Sequence, residues 1–137
     1  MDRKDLRALS RVRLSEARAL LHAGLPDGAY YLAGYAVECA LKACIAKETQ
    51  RYEFPDKKRV NSSHTHDLNE LVRVAELQSV LRTAVNGDPL LLEYWDVVQS
   101  WSEQSRYVRH SAESAQALIE AVGDREHGVI KWVKHYW

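Results

Sequence analysis

Apolar residues recur along this chain at the three- and four-residue spacing of helices, and no stretch shows the alternation of a half-buried strand. A first helix is expected over roughly 3–23, with Leu6, Leu9, Leu14, Ala17, Leu20 and Leu21 on one side and Arg3, Arg7, Arg11 and Arg18 on another. Gly24 stops it, and "LPDG" turns the chain. A second helix is expected over 27–48. Its Ala29, Ala33, Ala36, Ala40 and Ala43 form one face, and Tyr30, Leu32, Val37, Cys39, Leu41, Cys44 and Ile45 cover most of the remainder. A helix apolar nearly all round is a central one. Its alanine face lets a neighbouring backbone come close.

Residues 50–65 lose the pattern and read as a long loop carrying the basic spot Lys57, Lys58 and Arg59. A third helix is expected over 66–77, capped by Thr65, with Leu68, Leu71, Val72 and Ala75 inward. A short helical piece follows over 78–85 and ends at "NGDP". Asp88 as cap and Pro89 in the first turn open the next helix, whose stripe is Leu90, Tyr94, Val97 and Trp101. The pattern fades at 102–110, where that helix loosens. A last helix starts near Ser111 and keeps its phase from Ala115 to Trp137, bending at "GDREHG". These elements make an all-α, four- to five-helix, up-and-down bundle in a single domain, 1–137.

Composition adds mostly exclusions. Nineteen acids balance nineteen bases, so no global field draws the chain to nucleic acid or an anionic membrane, and such contacts need local patches. Six bases against three acids in residues 1–18 form one such patch, either a solvated face or a shallow phosphate-binding surface. No apolar run approaches a membrane span, and the first residues do not resemble a signal peptide, which points to the cytosol and to no membrane partner. Cys39 and Cys44 stand about 140° apart on a helix and are expected as buried thiols. His64 and His66 have no acid or Cys cluster to complete a metal shell, and there is no nucleotide-binding fingerprint, so neither metal nor cofactor is expected. His127 and His135 read as surface residues, and His22 as part of the first helix's end. The four tryptophans, Trp95, Trp101, Trp132 and Trp137, sit at helical spacing and read as core or interface residues rather than base-stacking platforms, with Tyr136 and Trp137 offering aromatic surface for a second subunit.

The chemistry centres on "YAVECALKACIA", residues 35–46. Glu38 and Lys42 lie one turn apart on an otherwise apolar helix, beside Tyr31 and Tyr35. A carboxylate inside a bundle must find a cation, because without one its burial costs several kcal/mol. Arg106, in "WSEQSRYVRH", can grip a carboxylate through two parallel hydrogen bonds. The expected polar core is therefore Glu38, Lys42, Arg106 and Tyr107, with His66 either bonding locally or reaching the Glu38 face.

"AYYLAGYAVECALKACIAK", then "THDLNELVRVA", then "WSEQSRY" resembles the HEPN superfamily of prokaryotic all-α domains over about residues 8–122. The resemblance implies a bundle that dimerises, in a toxin–antitoxin or defence setting, beside a nucleotidyltransferase-like or antitoxin partner. Many members are metal-independent ribonucleases. Their signature is an Arg, four to six residues, then a His: the Arg holds the scissile phosphate and the His moves the proton of the 2′-OH. Arg106 and His110, with Glu38 behind them, are the matching candidates, but only three residues intervene, which turns the His by about 100° on a helix. The leading expectation is thus a dimeric interaction module with catalysis absent or degenerate. The alternatives are an RNA endonuclease using Arg106 and His110, and a nucleotide- or nucleic-acid-binding module using the first helix, Lys57, Lys58, Arg59 and Arg109.

Overall fold

The computed structural model describes residues 1–51 and 57–137. These are all-α: eight helices and one 3-10 turn, with no strand among the described residues.

Helix α1 (Arg3–His22) begins at a capping box, in which Asp2 takes the backbone N–H of Asp5 at 2.8 Å and Asp5 returns the favour at 3.2 Å. Gly24, at φ +78°, supplies the left-handed residue that lets the Leu25 N–H close back on the Leu20 carbonyl at 2.9 Å. The chain then returns as α2 (Pro26–Arg51). The alanine face of α2 does admit α1 closely. Ser10 is buried at the crossing and its hydroxyl donates to the Ala36 carbonyl at 2.7 Å. Burial extends almost all round α2, as its composition implies.

The expected loop over 50–65 is shorter than its lack of periodicity implied. Helix α2 runs to Arg51, and α3 occupies Lys57–Ser62. A helix of six residues is too short to print a period on the sequence. Helix α4 (Leu68–Val74) starts two residues later than expected, because Asp67 rather than Thr65 is the cap: its carboxylate takes the N–H groups of Asn69 and Glu70. Thr65 instead accepts the N–H of Asp67, which leaves His66 outside the helix and free to reach back toward α2.

Helix α5 (Gln78–Gly87) leads into α6 (Pro89–Gln99), with Asp88 as cap and Pro89 in the first turn, as expected. The buried stripe of α6 is Leu91, Trp95 and Val98, one residue out of phase with the expected Leu90, Tyr94 and Val97. Three consecutive leucines offer either phase, and the large indole of Trp95 decides it. Trp101 then drops onto Gly34 of α2, where a Cβ would stand 2.3 Å from the ring. The loosened stretch is the 3-10 turn Glu103–Tyr107.

The last helix is not one bent rod. Helix α7 (Ala112–Gly123), capped by Ser111, ends, and a separate α8 (Val129–Val133) follows. Between them Asp124 captures the N–H groups of Glu126 and His127, a side-chain turn that competes with helix continuation. The hydrophobic phase survives the break because Val129, Ile130 and Val133 join the same core as Ala115, Leu118 and Val122. All four tryptophans are buried in that core. Trp137 therefore does not offer the aromatic docking surface expected of it: it is 5% exposed, roofed by Arg7, Arg11 and Lys134. Among the described residues no helix is long and apolar enough to cross a membrane.

Candidate functional site

Glu38 is the buried anion its surroundings demanded, at 2% exposure on α2. Lys42, one turn on, reaches it at 3.2 Å. The second partner of the carboxylate is not Arg106. His66 takes that place, with Nδ1 3.0 and 3.1 Å from the two carboxylate oxygens. The other ring nitrogen, Nε2, lies 2.8 Å from Glu103 Oε2. An imidazole placed between two carboxylates has an acceptor facing each nitrogen, and an imidazolium donates to both. His66 thus links α2 to the 3-10 turn from its position just before the Asp67 cap.

The link between Glu38 and residues 103–107 exists, but through Glu103 and His66. The expected contact of Glu38 with Arg106 is replaced for a geometric reason. The 3-10 turn points Arg106 outward, where it is exposed and its guanidinium carbon sits 4.9 Å above the Tyr107 ring. The charge of Tyr107, then those of Tyr31 and Glu103, raise its pKa further above the ordinary arginine value. Tyr107 likewise faces solvent, at 70% exposure, so it is not part of the polar core. Of the five residues expected in that core, Glu38, Lys42 and His66 meet there, while Arg106 and Tyr107 do not.

His110 belongs to a different set of contacts. Its backbone N–H donates to Asp27 Oδ1 at 2.6 Å, in the first turn of α2. Its ring stacks on Tyr30 with centroids 3.8 Å apart and planes 9° apart. Nε2 donates to the Ser105 carbonyl at 2.9 Å, which fixes the tautomer with the proton on that nitrogen. Arg106 and His110 do not share a helix face, because the chain is a 3-10 turn at one and extended by Val108. Arg109 is exposed and, with Leu25, Asp27, Gly28 and His110, lines an open cavity of about 330 Å³. Of the expected basic spot on α3, Lys58 is exposed, and the side chains of Lys57 and Arg59 lie outside the described residues.

Burial governs the thiols. It pushes Cys39 up to about 11, with the Glu38 charge adding to the effect, and Cys44 up to about 12, so neither forms a reactive thiolate near neutral pH. Among the described residues no group of three or more His, Cys, Asp and Glu could hold a metal ion.

Two sets of contacts had no counterpart in the sequence reading. One is the Asp27–Tyr30–His110 cluster, for which the only signal was a polar residue at the start of α2. The other is His127, read as a surface residue, whose Nδ1 lies 2.8 Å from Asp88. Asp88 thus caps α6 with one oxygen and holds the α7–α8 turn with the other. Hydrogen bonding between the two raises the His127 pKa and lowers that of Asp88.

No curated protein and no solved structure matches the chain. The model of the HEPN domain matches residues 4–136, nearly the whole length, and its helical architecture is the one described above. This chain belongs to the HEPN domain family.

Proposed function

We propose that this HEPN domain works by binding rather than by cleaving, as a homodimeric module in a prokaryotic toxin–antitoxin or defence setting. The observation that carries this reading is the separation of Arg106 from His110, which the 3-10 turn and the extended backbone after it keep off a common face. A histidine that takes a proton from a ribose hydroxyl must present a ring nitrogen to it within hydrogen-bond reach. Here Nε2 is committed to the Ser105 carbonyl and one ring face is covered by Tyr30, which leaves Nδ1 alone to accept a proton, and Arg106, which would hold the phosphate, lies over Tyr107 instead of sharing a face with that ring. The spacing of three residues between Arg106 and His110, one short of the family signature, agrees with that geometry.

The same segment suits a protein contact. Tyr107, Val108 and Leu25 are large exposed apolar residues, and Arg109 lines one cavity with Leu25. An apolar centre with arginine at its edge is the composition of a protein interface. The partners this reading names are a second copy of the chain and a nucleotidyltransferase-like or antitoxin protein encoded nearby.

Sedimentation of the wild type and of Tyr107→Asp/Val108→Asp tests the module: the wild type is expected to dimerise and the variant to stay monomeric. Incubation with mixed RNA in EDTA tests the absence of cleavage. Cleavage that disappears in both Arg106→Ala and His110→Ala would replace this reading with that of a metal-independent endoribonuclease.

A further inference from the structure

His66 sits where its contacts depend on its own proton. Nδ1 lies 3.0 and 3.1 Å from the two oxygens of Glu38, and Nε2 lies 2.8 Å from Glu103 Oε2. Both neighbours are carboxylates, which when ionised only accept hydrogen bonds. An imidazolium satisfies both. A neutral imidazole has one N–H, so its other nitrogen sets a lone pair against a carboxylate. Lys42 does not remove this conflict, since it reaches Glu38, at Oε2, and leaves the Glu103 side unchanged.

Burial decides which link gives way. Glu38 is buried, so a lost donor there costs the most. Glu103 is 31% exposed, and water takes the place of the ring. The single proton of the neutral ring therefore stays on Nδ1, and Glu103 is let go. A cation stands on its own turn: Arg106 is three residues on, and in a 3-10 helix side chains at that spacing lie over one another. The Glu103 charge already reaches that guanidinium, which rests over the Tyr107 ring. The other neighbours keep their state. On α2, burial and then the Glu38 charge push Cys39 up to about 11, and burial raises Tyr35 above its usual 10, so both stay neutral. At the start of α4, Asp67 is engaged by the N–H groups of Asn69 and Glu70. After the turn, His110 keeps its Nε2–H on the Ser105 carbonyl in either state of its own ring.

We propose that His66 is a proton-operated latch on the face formed by residues 106–110, which rests on the reading of that face as the contact with a second copy of the chain. Protonated, the ring holds Glu103 and leaves the Arg106 guanidinium open to the partner. Deprotonated, it releases Glu103 to pair with Arg106, and the partner is bound more weakly. The latch holds while the ring is charged and Glu103 is ionised. It opens as pH rises through the imidazole titration, and again in acid as Glu103 takes a proton.

The latch and the partner are read separately. In dilute full-length chain, NMR follows the His66 ring and the Arg106 Nε–H over about pH 5 to 8, the range in which imidazoles change charge. The Arg106 signal is expected to move with the midpoint of the His66 ring and to stay still in His66→Gln. Sedimentation at higher concentration is expected to show association at least about fivefold weaker at the alkaline end. The donor hydrogens of His66→Gln sit on one nitrogen and cannot span carboxylates on opposite sides, so this variant should associate at the weak level throughout. The amide of Glu103→Gln accepts from the charged ring or donates to the neutral one, so this variant should associate at the strong level throughout. His127→Gln, which removes a histidine facing Asp88 instead, should keep the wild-type profile. An Arg106 signal that ignores the His66 midpoint, association equal across the range, or a pH profile that survives in His66→Gln would each overturn the latch. An Arg106 signal that follows His66 with no association at any pH would uphold the latch and overturn the dimeric reading instead.

Discussion

His66 Nε2 lies 2.8 Å from Glu103, while the opposite nitrogen of the same ring lies 3.0 Å from buried Glu38. One imidazole, 45% exposed, therefore ties the 3-10 turn to the central helix. That turn carries Arg106 and Tyr107 and is followed by Val108–His110, so the exposed face proposed to bind partners is anchored from beneath through Glu103 and His66. Such pairs fix one arrangement more than they add net stability, since desolvation offsets much of their attraction.

Breaking the pair is a different matter from forming it. Glu38→Ala removes the buried anion and leaves a void in α2, and is expected to cost about 3 kcal/mol in urea denaturation. Lys42→Met is expected to cost about 1 kcal/mol, because His66 still faces the carboxylate and the lysine stem's burial is kept.

Gly34 has a steric reason to be glycine. A Cβ there meets the Trp101 ring at 2.3 Å, so Gly34→Ala should destabilise the fold by about 1–3 kcal/mol despite the helix propensity gained. Gly87 lies in open space and is the control: Gly87→Ala should change the denaturation midpoint little.

His110 should behave as a structural residue. His110→Ala and Tyr30→Leu each remove the stack and are expected to cost about 1–2 kcal/mol, with the double variant costing less than their sum. Additive costs would show that the rings do not interact in solution.

The Asp88–His127 pair gives a pH dependence. His127 has its folded pKa raised above the ordinary 6.5, so its contribution is complete below 6.5 and is lost as pH rises through the raised value. Asp88 has its folded pKa lowered below the ordinary 3.8, so its contribution is present above 3.8 and is lost as pH falls through the lowered value. Melting temperatures of the wild type and His127→Gln should therefore differ most between these limits and converge at alkaline pH. The difference is small, because both groups are solvent-screened. A difference constant across the range would contradict the pairing.

The helices were legible because burial writes a period on them: α1, α2, the cap Asp88 and the helix start near Ser111 stand where the pattern put them. What escaped was decided by contacts remote in sequence or by local polar competition. The leucine run at 90–92 fits two phases, and only Trp95 in three dimensions selects one. Asp124 ends α7 by capturing two N–H groups, which hydrophobic phase cannot report. Glu38 was recognisable as a buried acid in need of a cation, but its partner depended on backbone direction. The 3-10 turn offers Glu103 to His66 and sends Arg106 to solvent, a backbone course that hydrophobic spacing does not report.

The most direct measurement is a pair of double-mutant cycles on unfolding free energy, Glu38→Gln with His66→Ala and Glu38→Gln with Arg106→Ala. The structure predicts a coupling of at least about 1 kcal/mol for Glu38 with His66 and none beyond about 0.5 kcal/mol for Glu38 with Arg106. Coupling with Arg106 in place of His66 would contradict the anchoring of the 3-10 turn described here.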